Sequence, residues 1–268
     1  LVKTMASIAL LIVVVVFLHG ALGSGKKGLA VSNSHYRCGD LDPFNNVHWW
    51  YDWSETPFYH THQQCGPLKT GRVAMVWGWR PHSDLPLHIA HDSEYVLGFN
   101  EPNFYKQANI TPQAAVQHWA EIEAHSHGKP LVSPAAAPCS GHDSCMSNGE
   151  EWLAEFFQLC HNCRIDFIAT HAYWCNPDST MNYLKRLWDH FHKPIWLTEF
   201  SCPQTHSEDR QLQYMKEILP RLEAAHFVFR YSWYVHRKMT NGWTTTSTSL
   251  LHQHDSNLTT LGEYYNNF

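Results

Sequence analysis

The chain lacks the features that mark several large classes of protein. Its 268 residues carry a formal net charge of only −5, from 19 basic and 24 acidic residues, which does not favour a nucleic-acid or anionic-membrane partner. It has no long polar or low-complexity tract, and apolar residues make up 44% of it. No apolar run is long enough to span a bilayer, and none near the C-terminus predicts a lipid anchor. We therefore expect one globular, monomeric domain with neither nucleic acid nor a membrane anchor as a partner.

Several catalytic motifs are absent as well. There is no glycine-rich phosphate loop, no His-Glu-x-x-His zinc motif and no Gly-x-Ser-x-Gly nucleophile elbow. The 21 histidines include His-x-His pairs, but these fall in expected loops or helix ends. The Cys-x-x-Cys pair at Cys160 and Cys163 has no second pair to complete a zinc site. The sequence thus disfavours a metal centre.

One short apolar run, Ile8 to Leu18, is followed by small residues. Its position and length predict a secretory signal peptide over residues 1–24, with Met5 as the expected start, although its β-branched stretch also suits a buried strand. Residues 25–268 would then form the mature domain. Eight cysteines in a secreted chain predict disulfides, and sequons at Asn109 and Asn257 agree with an extracellular glycoprotein.

Eight apolar, strand-like runs recur along the mature chain, and most are apolar on both faces, as parallel strands covered by helices should be. They are Gly28–Ser32, Val47–Trp53, Arg72–Trp79, Tyr95–Glu101, Pro130–Ala136, Ile165–Trp174, Pro194–Ser201 and Val228–Val235. Helical patterns separate the later runs, two of them opening at the expected N-caps Thr111 and Ser207. This alternation predicts an α/β fold, a single (β/α)₈ TIM barrel, and a doubly wound open sheet is the alternative.

Two of the runs end in glutamate. Glu101 and Glu199 each follow a buried apolar strand, where a carboxylate is costly unless it has a function. They lie 98 positions apart. At about 33 residues per βα unit this separation corresponds to three units, which places them on the fourth and seventh strands of the barrel. Active sites of this fold lie at the C-terminal strand ends, so both carboxylates are expected at its mouth.

A pair of carboxylates across a barrel mouth suits the hydrolysis of a glycosidic bond. Glu101 would protonate the leaving oxygen, and its neighbour Asn100 would bind an adjacent sugar hydroxyl. Glu199 would be the nucleophile. A retaining enzyme needs the carboxylates about 5–5.5 Å apart, and the sequence alone does not separate this from the wider inverting gap.

Aromatic and histidine side chains near the other strand ends are further candidates for substrate binding. His171 and Tyr173 share a face of the sixth strand, from which they could donate hydrogen bonds to Glu199, and Trp174 follows them. Tyr231 and Trp233 on the eighth strand, and Trp77 on the third, could stack on sugar rings. Packing in the core is the alternative for each of these residues.

Taken together, these segments resemble glycoside hydrolase family 128, the secreted β-1,3-glucanases with a glycosyl hydrolase catalytic core. The resemblance covers nearly the whole mature chain. It is carried by Trp49 to Ser54, Val73 to Gly78, Leu97 to Asn103, Ser133 to Ala135, Ile165 to His171, Pro194 to Phe200, Arg230 to Trp233 and Leu258 to Tyr265.

The resemblance implies retaining hydrolysis of β-1,3-glucan by the residues matching Glu101, as acid and base, and Glu199, as nucleophile. Endo action is the leading hypothesis, and exo action stays open because loop lengths around the groove decide the mode. It also implies that neither a metal nor an organic cofactor takes part. Asp52 departs from the family pattern, which has Asn there. Other β-glucans or mannan are alternative substrates, and a non-catalytic glucan-binding lectin is the alternative function.

Within that barrel the cysteines have predicted partners. Cys175 and Cys202 follow adjacent strands and are expected to form a disulfide. The pairs Cys139–Cys145 and Cys160–Cys163 are weaker predictions, and they would leave Cys38 with Cys65.

Overall fold

The computed structural model describes residues 25–57, 65–79, 87–139 and 143–268, and the expected signal peptide lies outside them. Each of the eight predicted apolar runs contains a strand. The strands are β1 (Lys27–Ala30), β2 (Trp49–Tyr51), β3 (Ala74–Met75), β4 (Val96–Leu97), β5 (Leu131–Val132), β6 (Ile168–Ala172), β7 (Ile195–Phe200) and β8 (Val228–Trp233).

The strands form two parallel sheets whose ends meet. One sheet has the order β2-β1-β8-β7-β6, and the other has the order β3-β4-β5. A parallel bridge between Trp50 and Arg72 joins β2 to the segment that enters β3, and a second between Val132 and Phe167 joins β5 to the segment that enters β6. These two bridges complete a ring of eight parallel strands, so the predicted TIM barrel is confirmed.

Five α-helices follow the later strands, and each is capped by the side chain that precedes it. They are α1 (Pro112–His125), α2 (Gly149–Leu159), α3 (Pro177–Phe191), α4 (Glu208–Ala224) and α5 (Thr260–Asn267). The predicted caps Thr111 and Ser207 accept hydrogen bonds from the backbone N–H groups of Ala114 and Arg210. Each such cap typically stabilises its helix by about 1 kcal/mol and defines the residue at which the helix begins.

The core has two layers, one between the strands and the helices and one inside the barrel. Inward-facing residues such as Trp49, Met75 and Trp196 fill the interior. Gly98 is required between β4 and the mouth, because a Cβ atom there would lie 2.8 Å from the backbone nitrogen of Pro134 and 2.9 Å from Trp119. Side chains therefore fill the interior of the barrel below the C-terminal ends of the strands.

The structure contains four disulfides, and they join the predicted partners. They are Cys38–Cys65, Cys139–Cys145, Cys160–Cys163 and Cys175–Cys202. The last of these links the chain just beyond β6 to the chain just beyond β7, and so ties together two neighbouring strand ends at the mouth. Among the described residues, no helix has both the length and the apolar character needed to cross a membrane.

Lys27, at the base of β1, gives the fold a pH dependence. Its side chain is buried, and Nζ donates to the carbonyl oxygens of Tyr265 and Asn266 at 2.7 and 3.1 Å, at the end of α5. Burial lowers the pKa of Lys27 to about 8, although the charge of Glu223 opposes the shift. An unfolded lysine has a pKa of about 10.4. Between these two values the unfolded chain holds a proton that the folded chain has released, so this group makes the fold more stable as pH rises.

We therefore expect Lys27→Met to flatten the pH dependence of the free energy of unfolding between pH 8 and pH 10. The contribution that is lost is at most about 1.4 kcal/mol per pH unit, the limit for one proton. Urea denaturation of the wild type and the variant at several pH values measures it. Parallel curves for the two proteins would contradict the assignment.

Candidate active site

Glu101 lies just beyond β4, on a backbone held from both sides. The N–H of Asn100 donates to the carbonyl oxygen of Trp77 at 2.8 Å, and that of Glu101 donates to the carbonyl oxygen of Ala135 at 3.1 Å. Glu101 itself adopts φ +42°, the left-handed region that non-glycine residues rarely occupy. Such strain is typical of functional positions and persists where neighbouring bonds over-determine the backbone.

Glu199 reaches the same place through an irregularity in β7. Along the β6–β7 ladder Thr170 pairs with Leu197 while the next residue, His171, pairs with Glu199, so Thr198 is an extra residue in β7. Leu197 packs in the outer core, against the helices. A regular strand would place Glu199 on that same outer face, and the bulge turns it into the barrel mouth instead.

The two carboxylates meet at His171. Its Nδ1 lies 2.8 Å from Glu101 Oε1, and its Nε2 lies 3.4 Å from Glu199 Oε1. One carboxylate oxygen of each glutamate and one imidazole nitrogen all lie within 4.8 Å of one another. The separation of the carboxylates is therefore short, as a direct attack on a sugar carbon held between them requires.

Glu199 is surrounded by hydrogen-bond donors. Trp53 Nε1 donates to Oε1 at 2.9 Å, and the hydroxyl of Tyr173 donates to Oε2. Burial raises the pKa of Glu199 above its usual range, whereas the charge of His171 and these two donors lower it. The donors thus offset part of the desolvation penalty that an ionised Glu199 incurs.

His171 is fully buried between the two glutamates. Burial by itself lowers its pKa, but the charge of Glu199 and the hydrogen bond with Glu101 outweigh burial and raise it. The imidazole thus favours its charged form between the two carboxylates. It is hydrogen-bonded to Glu101 through Nδ1, and its Nε2 lies near Glu199 Oε1 without a hydrogen bond to it.

Glu101, His171 and Glu199 also have the composition of a metal-ligand set. The described structure already engages these atoms in hydrogen bonds: Glu101 Oε1 with His171, and the two oxygens of Glu199 with Trp53 and Tyr173. A metal ion would have to displace these partners. The donor set therefore fits proton transfer and nucleophilic attack better than metal coordination.

A cleft of about 720 Å³ opens above the pair. Its lining includes the aromatic side chains of Tyr173, Trp174, Tyr234 and Trp243 together with the two glutamates. Trp243 is 58% exposed, so a flat apolar face borders the opening. Aromatic faces beside paired carboxylates suit a sugar chain as ligand.

The stacking role predicted for two residues of β8 is wrong. Tyr231 and Trp233 are fully buried, and their polar groups donate to Glu223 and to the carbonyl oxygen of Thr248. They face the helices, so neither offers a surface to a sugar. The adjacent residue Tyr234 lines the cleft instead, because a shift of one residue along a strand exchanges its faces.

The other two predicted ligand residues, Asn100 and Trp77, lie beside each other beyond β4 and β3, but neither lines the cleft. Asn100 is almost fully buried beside Glu101, and its Oδ1 has no hydrogen-bond partner in the described part of the chain. Trp77, at the end of the β3 segment, is 38% exposed. The neighbouring Trp79, by contrast, stacks on His118 of α1 at 3.5 Å between ring centroids.

Besides Tyr234, sequence reasoning missed three further contributors to the site. Trp53 binds Glu199 from a turn after β2, and Lys238 and Trp243 line the cleft from the segment after β8. Trp53 lies inside the Trp-rich segment that carries the family resemblance, which is the signal that could have marked it. Lys238 and Trp243 sit in irregular structure, where no periodicity reports the direction of a side chain.

Comparison with known proteins agrees with this geometry. The family model for the glycosyl hydrolase catalytic core matches residues 28–265. A solved endo-β-1,3-glucanase of glycoside hydrolase family 128, subgroup II, from Sorangium cellulosum is 30% identical with a TM-score of 0.76, over 90% of this chain and 97% of that one. The corresponding enzyme from Pseudomonas viridiflava is 32% identical with a TM-score of 0.69, over 90% and 96%.

Other relatives differ in mode of action and in length. A curdlan-specific exo-β-1,3-glucanase of subgroup III from Blastomyces gilchristii is 27% identical with a TM-score of 0.70, over 92% of this chain and all of that one. A curated relative, alkali-sensitive linkage protein 1 of Schizosaccharomyces pombe, is 27% identical over 79% of this chain. The chain spans only about two fifths of that relative's length.

Proposed function

The chain belongs to the glycosyl hydrolase catalytic core family, and within it to glycoside hydrolase family 128, and from that premise we propose that it cleaves β-1,3-glucan with retention of anomeric configuration. Glu199 is the proposed nucleophile, and Glu101 the proposed general acid and base. The observation that carries the proposal is the carboxylate pair beside His171, in which one oxygen of Glu101 and one of Glu199 lie within 4.8 Å of each other. Carboxylates this near each other favour the spacing of roughly 5–5.5 Å typical of retaining enzymes over the wider inverting gap.

In the first step Glu199 attacks the anomeric carbon and the glycosidic C–O bond breaks. The proton of Glu101 passes to the departing oxygen, which leaves as the hydroxyl of the shortened chain. In the second step Glu101 removes a proton from a water molecule. The water oxygen bonds to the anomeric carbon, the bond to Glu199 breaks, and Glu101 is again protonated.

The site supports this division of labour. Glu199 holds donors from Trp53 and Tyr173, which favour its ionised, nucleophilic form. Glu101 has only His171 as a side-chain hydrogen-bond partner among the described residues, so it is held by fewer donors than Glu199. The buried Oδ1 of Asn100 has no hydrogen-bond partner among the described residues, and we propose that a sugar hydroxyl bound beside Glu101 donates to it.

We propose endo cleavage, because exposed aromatic faces lie on different sides of the mouth. Trp77 follows β3, whereas Trp243 lies beyond β8. A chain held on both would run across the catalytic pair and be cut in its interior. Solved relatives include both endo and exo enzymes, so the products released from glucan decide between the two modes.

The four disulfides support secretion, because such bonds persist in oxidising compartments. Asn109 and Asn257 are both exposed, as glycosylated asparagines must be. We therefore propose an extracellular glycoprotein. The signal peptide and the monomeric state stay predictions from the sequence.

The decisive experiment incubates the purified protein with laminarin, curdlan, lichenan, cellulose and mannan and resolves the products by size and anomer. We expect laminarin to give a ladder of short oligosaccharides whose new reducing ends start as the β-anomer. Glucose as the first and only product would indicate exo action, and an initial α-anomer would contradict retention. Binding to laminarin without turnover would favour the lectin.

A further inference from the structure

A buried ion pair lies directly behind the indole that binds Glu199. Arg72 Nη2 donates to Asp52 Oδ1 at 2.7 Å, and the two side chains are only 4% and 3% exposed. Neither residue lines the cleft, so neither can touch a substrate there. Buried ion pairs are weak sources of stability, because desolvation of the charges offsets their attraction. The pair therefore calls for an explanation other than stability.

The pair encloses one turn of the chain. Besides Asp52, Arg72 Nη2 donates to the carbonyl oxygen of Ser54 at 2.7 Å and to its hydroxyl at 3.0 Å. The hydroxyl of Ser54 in turn donates to Asp52 Oδ1 at 2.9 Å. The side-chain amide of Asn33 donates to the carbonyl oxygen of Asp52, and the backbone N–H of Met75 donates to that of Ser54. The residues on both sides of Trp53 are thus fixed to the same guanidinium.

Trp53 needs this support. Its φ of +55° lies in the left-handed region, which is strained for a bulky side chain. A conformation of this kind persists only where the surroundings over-determine it. From this turn the indole packs on Tyr51 and Tyr234, with ring centroids 4.9 and 5.9 Å apart, and presents its N–H to Glu199.

We propose that Arg72 and Asp52 are positioning residues, which hold Trp53 in its left-handed turn so that the indole N–H stays bonded to Glu199 Oε1. The inference rests on the proposed function in one respect, that Glu199 acts as the nucleophile. Arg72 and Asp52 act through Trp53 alone. Their effect should therefore appear in the ionisation and aim of Glu199 and not in the affinity for glucan.

The test replaces Asp52 by asparagine, the residue of the family pattern, which keeps the shape but in this chain leaves the buried charge of Arg72 without a counter-charge. With Arg72 left unpaired the turn loosens, and we expect kcat on laminarin to fall about 10- to 100-fold with little change in KM. Glu199 loses a donor to its ionised form, so its pKa rises. The acidic limb of the kcat/KM profile should then move to higher pH, by about half a unit.

The acidic limb of the kcat/KM profile also depends on the other titratable groups that face Glu199. They are Tyr51 from β2, Glu101 from the chain after β4, His171 from β6, Tyr173 directly after β6, and Tyr234 and Lys238 from the chain after β8. Neither Asp52→Asn nor Trp53→Phe alters any of these groups. A shift common to both variants therefore reports the loss of the indole donor.

A double-mutant cycle separates this role from a merely structural one. Trp53→Phe keeps an aromatic ring and removes only the N–H donor, so it should produce the same shift of the acidic limb. If Asp52 acts through Trp53, adding Asp52→Asn to Trp53→Phe shifts the limb no further. Shifts that add in the double variant would overturn the proposal.

A matched control is Asp166→Asn at the base of the barrel, where Asp166 accepts a hydrogen bond from the backbone of Leu131. It removes a carboxylate of the same size and should lower thermal stability without moving the limb. Should Asp52→Asn fail to fold, Ser54→Ala removes the hydroxyl that bonds Asp52 and Arg72 and is expected to shift the limb in the same direction by less.

A second readout does not need turnover. The ionisation of Glu199 can be followed by ¹³C NMR of glutamate-labelled protein, with the signal assigned by Glu199→Gln. A wild type that hydrolyses no glucan would refute the proposed function, and the NMR titration would still test the positioning role. An unchanged Glu199 titration in both Asp52→Asn and Trp53→Phe would refute the positioning role alone.

Discussion

Glu199→Gln is expected to lower kcat on laminarin by about 10⁴-fold or more, because an amide cannot form the glycosyl-enzyme bond. The substitution is nearly isosteric, and Trp53 Nε1 can still donate to the amide oxygen. The fold and the cleft should therefore persist, and KM or oligosaccharide binding should change little. Initial rates on laminarin, with circular dichroism and thermal unfolding as checks on folding, measure the effect.

Chemical rescue distinguishes a nucleophilic role of Glu199 from any other role whose loss would also lower activity. In Glu199→Ala the space left by the carboxylate admits azide, which should attack an activated β-glucosyl donor from the nucleophile's side and give the α-glucosyl azide. Glu263→Gln, on an exposed position of α5, is the matched control and should leave activity unchanged. Wild-type turnover by Glu199→Gln would remove Glu199 from the catalytic assignment.

Glu101→Ala is expected to have the second largest effect, and one that depends on the leaving group. On laminarin the departing hydroxyl needs a proton, so kcat/KM should fall about 10³-fold, within the range for general acid catalysis. On an aryl β-laminaribioside with an acidic phenol the leaving group needs no proton. There kcat/KM should stay within about tenfold of the wild type, since it reports the first bond-breaking step.

The same variant tests the second half of the mechanism. Without Glu101 no base activates water, so the glycosyl-enzyme on Glu199 should accumulate and give a burst of released phenol. Azide should speed its breakdown and yield the β-glucosyl azide, opposite in configuration to the product of Glu199→Ala. Equal losses on both substrates, or the α-azide from Glu101→Ala, would contradict the assignment of Glu101 as acid and base.

Local signals in the sequence were sufficient to predict the fold. The eight apolar runs and the caps at Thr111 and Ser207 all report short-range physics, namely burial of both faces of a strand and satisfaction of the first N–H groups of a helix. The spacing of Glu101 and Glu199, compared with the length of a βα unit, predicted that they belong to the fourth and seventh strands. In the structure Glu101 lies just beyond β4, and Glu199 lies in β7.

The direction of individual side chains was a different matter. The β7–β8 ladder pairs Ile195 with Val228 and the next residue, Trp196, with Arg230, so Phe229 is an extra residue in β8 and the alternation read from the sequence reverses after it. Tyr231 and Trp233 were therefore assigned to the wrong face, and Tyr234 was missed. Glu199 reached the mouth only through the bulge at Thr198, which depends on pairing with β6.

The sequence by itself thus determined the barrel, its strand order and the two carboxylates at one end, because each depends on periodicity, capping and spacing along the chain. Only the tertiary structure decided which side chains contact those carboxylates and donate hydrogen bonds to them. His171 bridges them, and Trp53 donates to Glu199 from a left-handed turn tied down by Arg72 and Asp52. These contacts join residues from separate strands, and their geometry is fixed by bulges and strained turns that leave no periodic trace in the sequence.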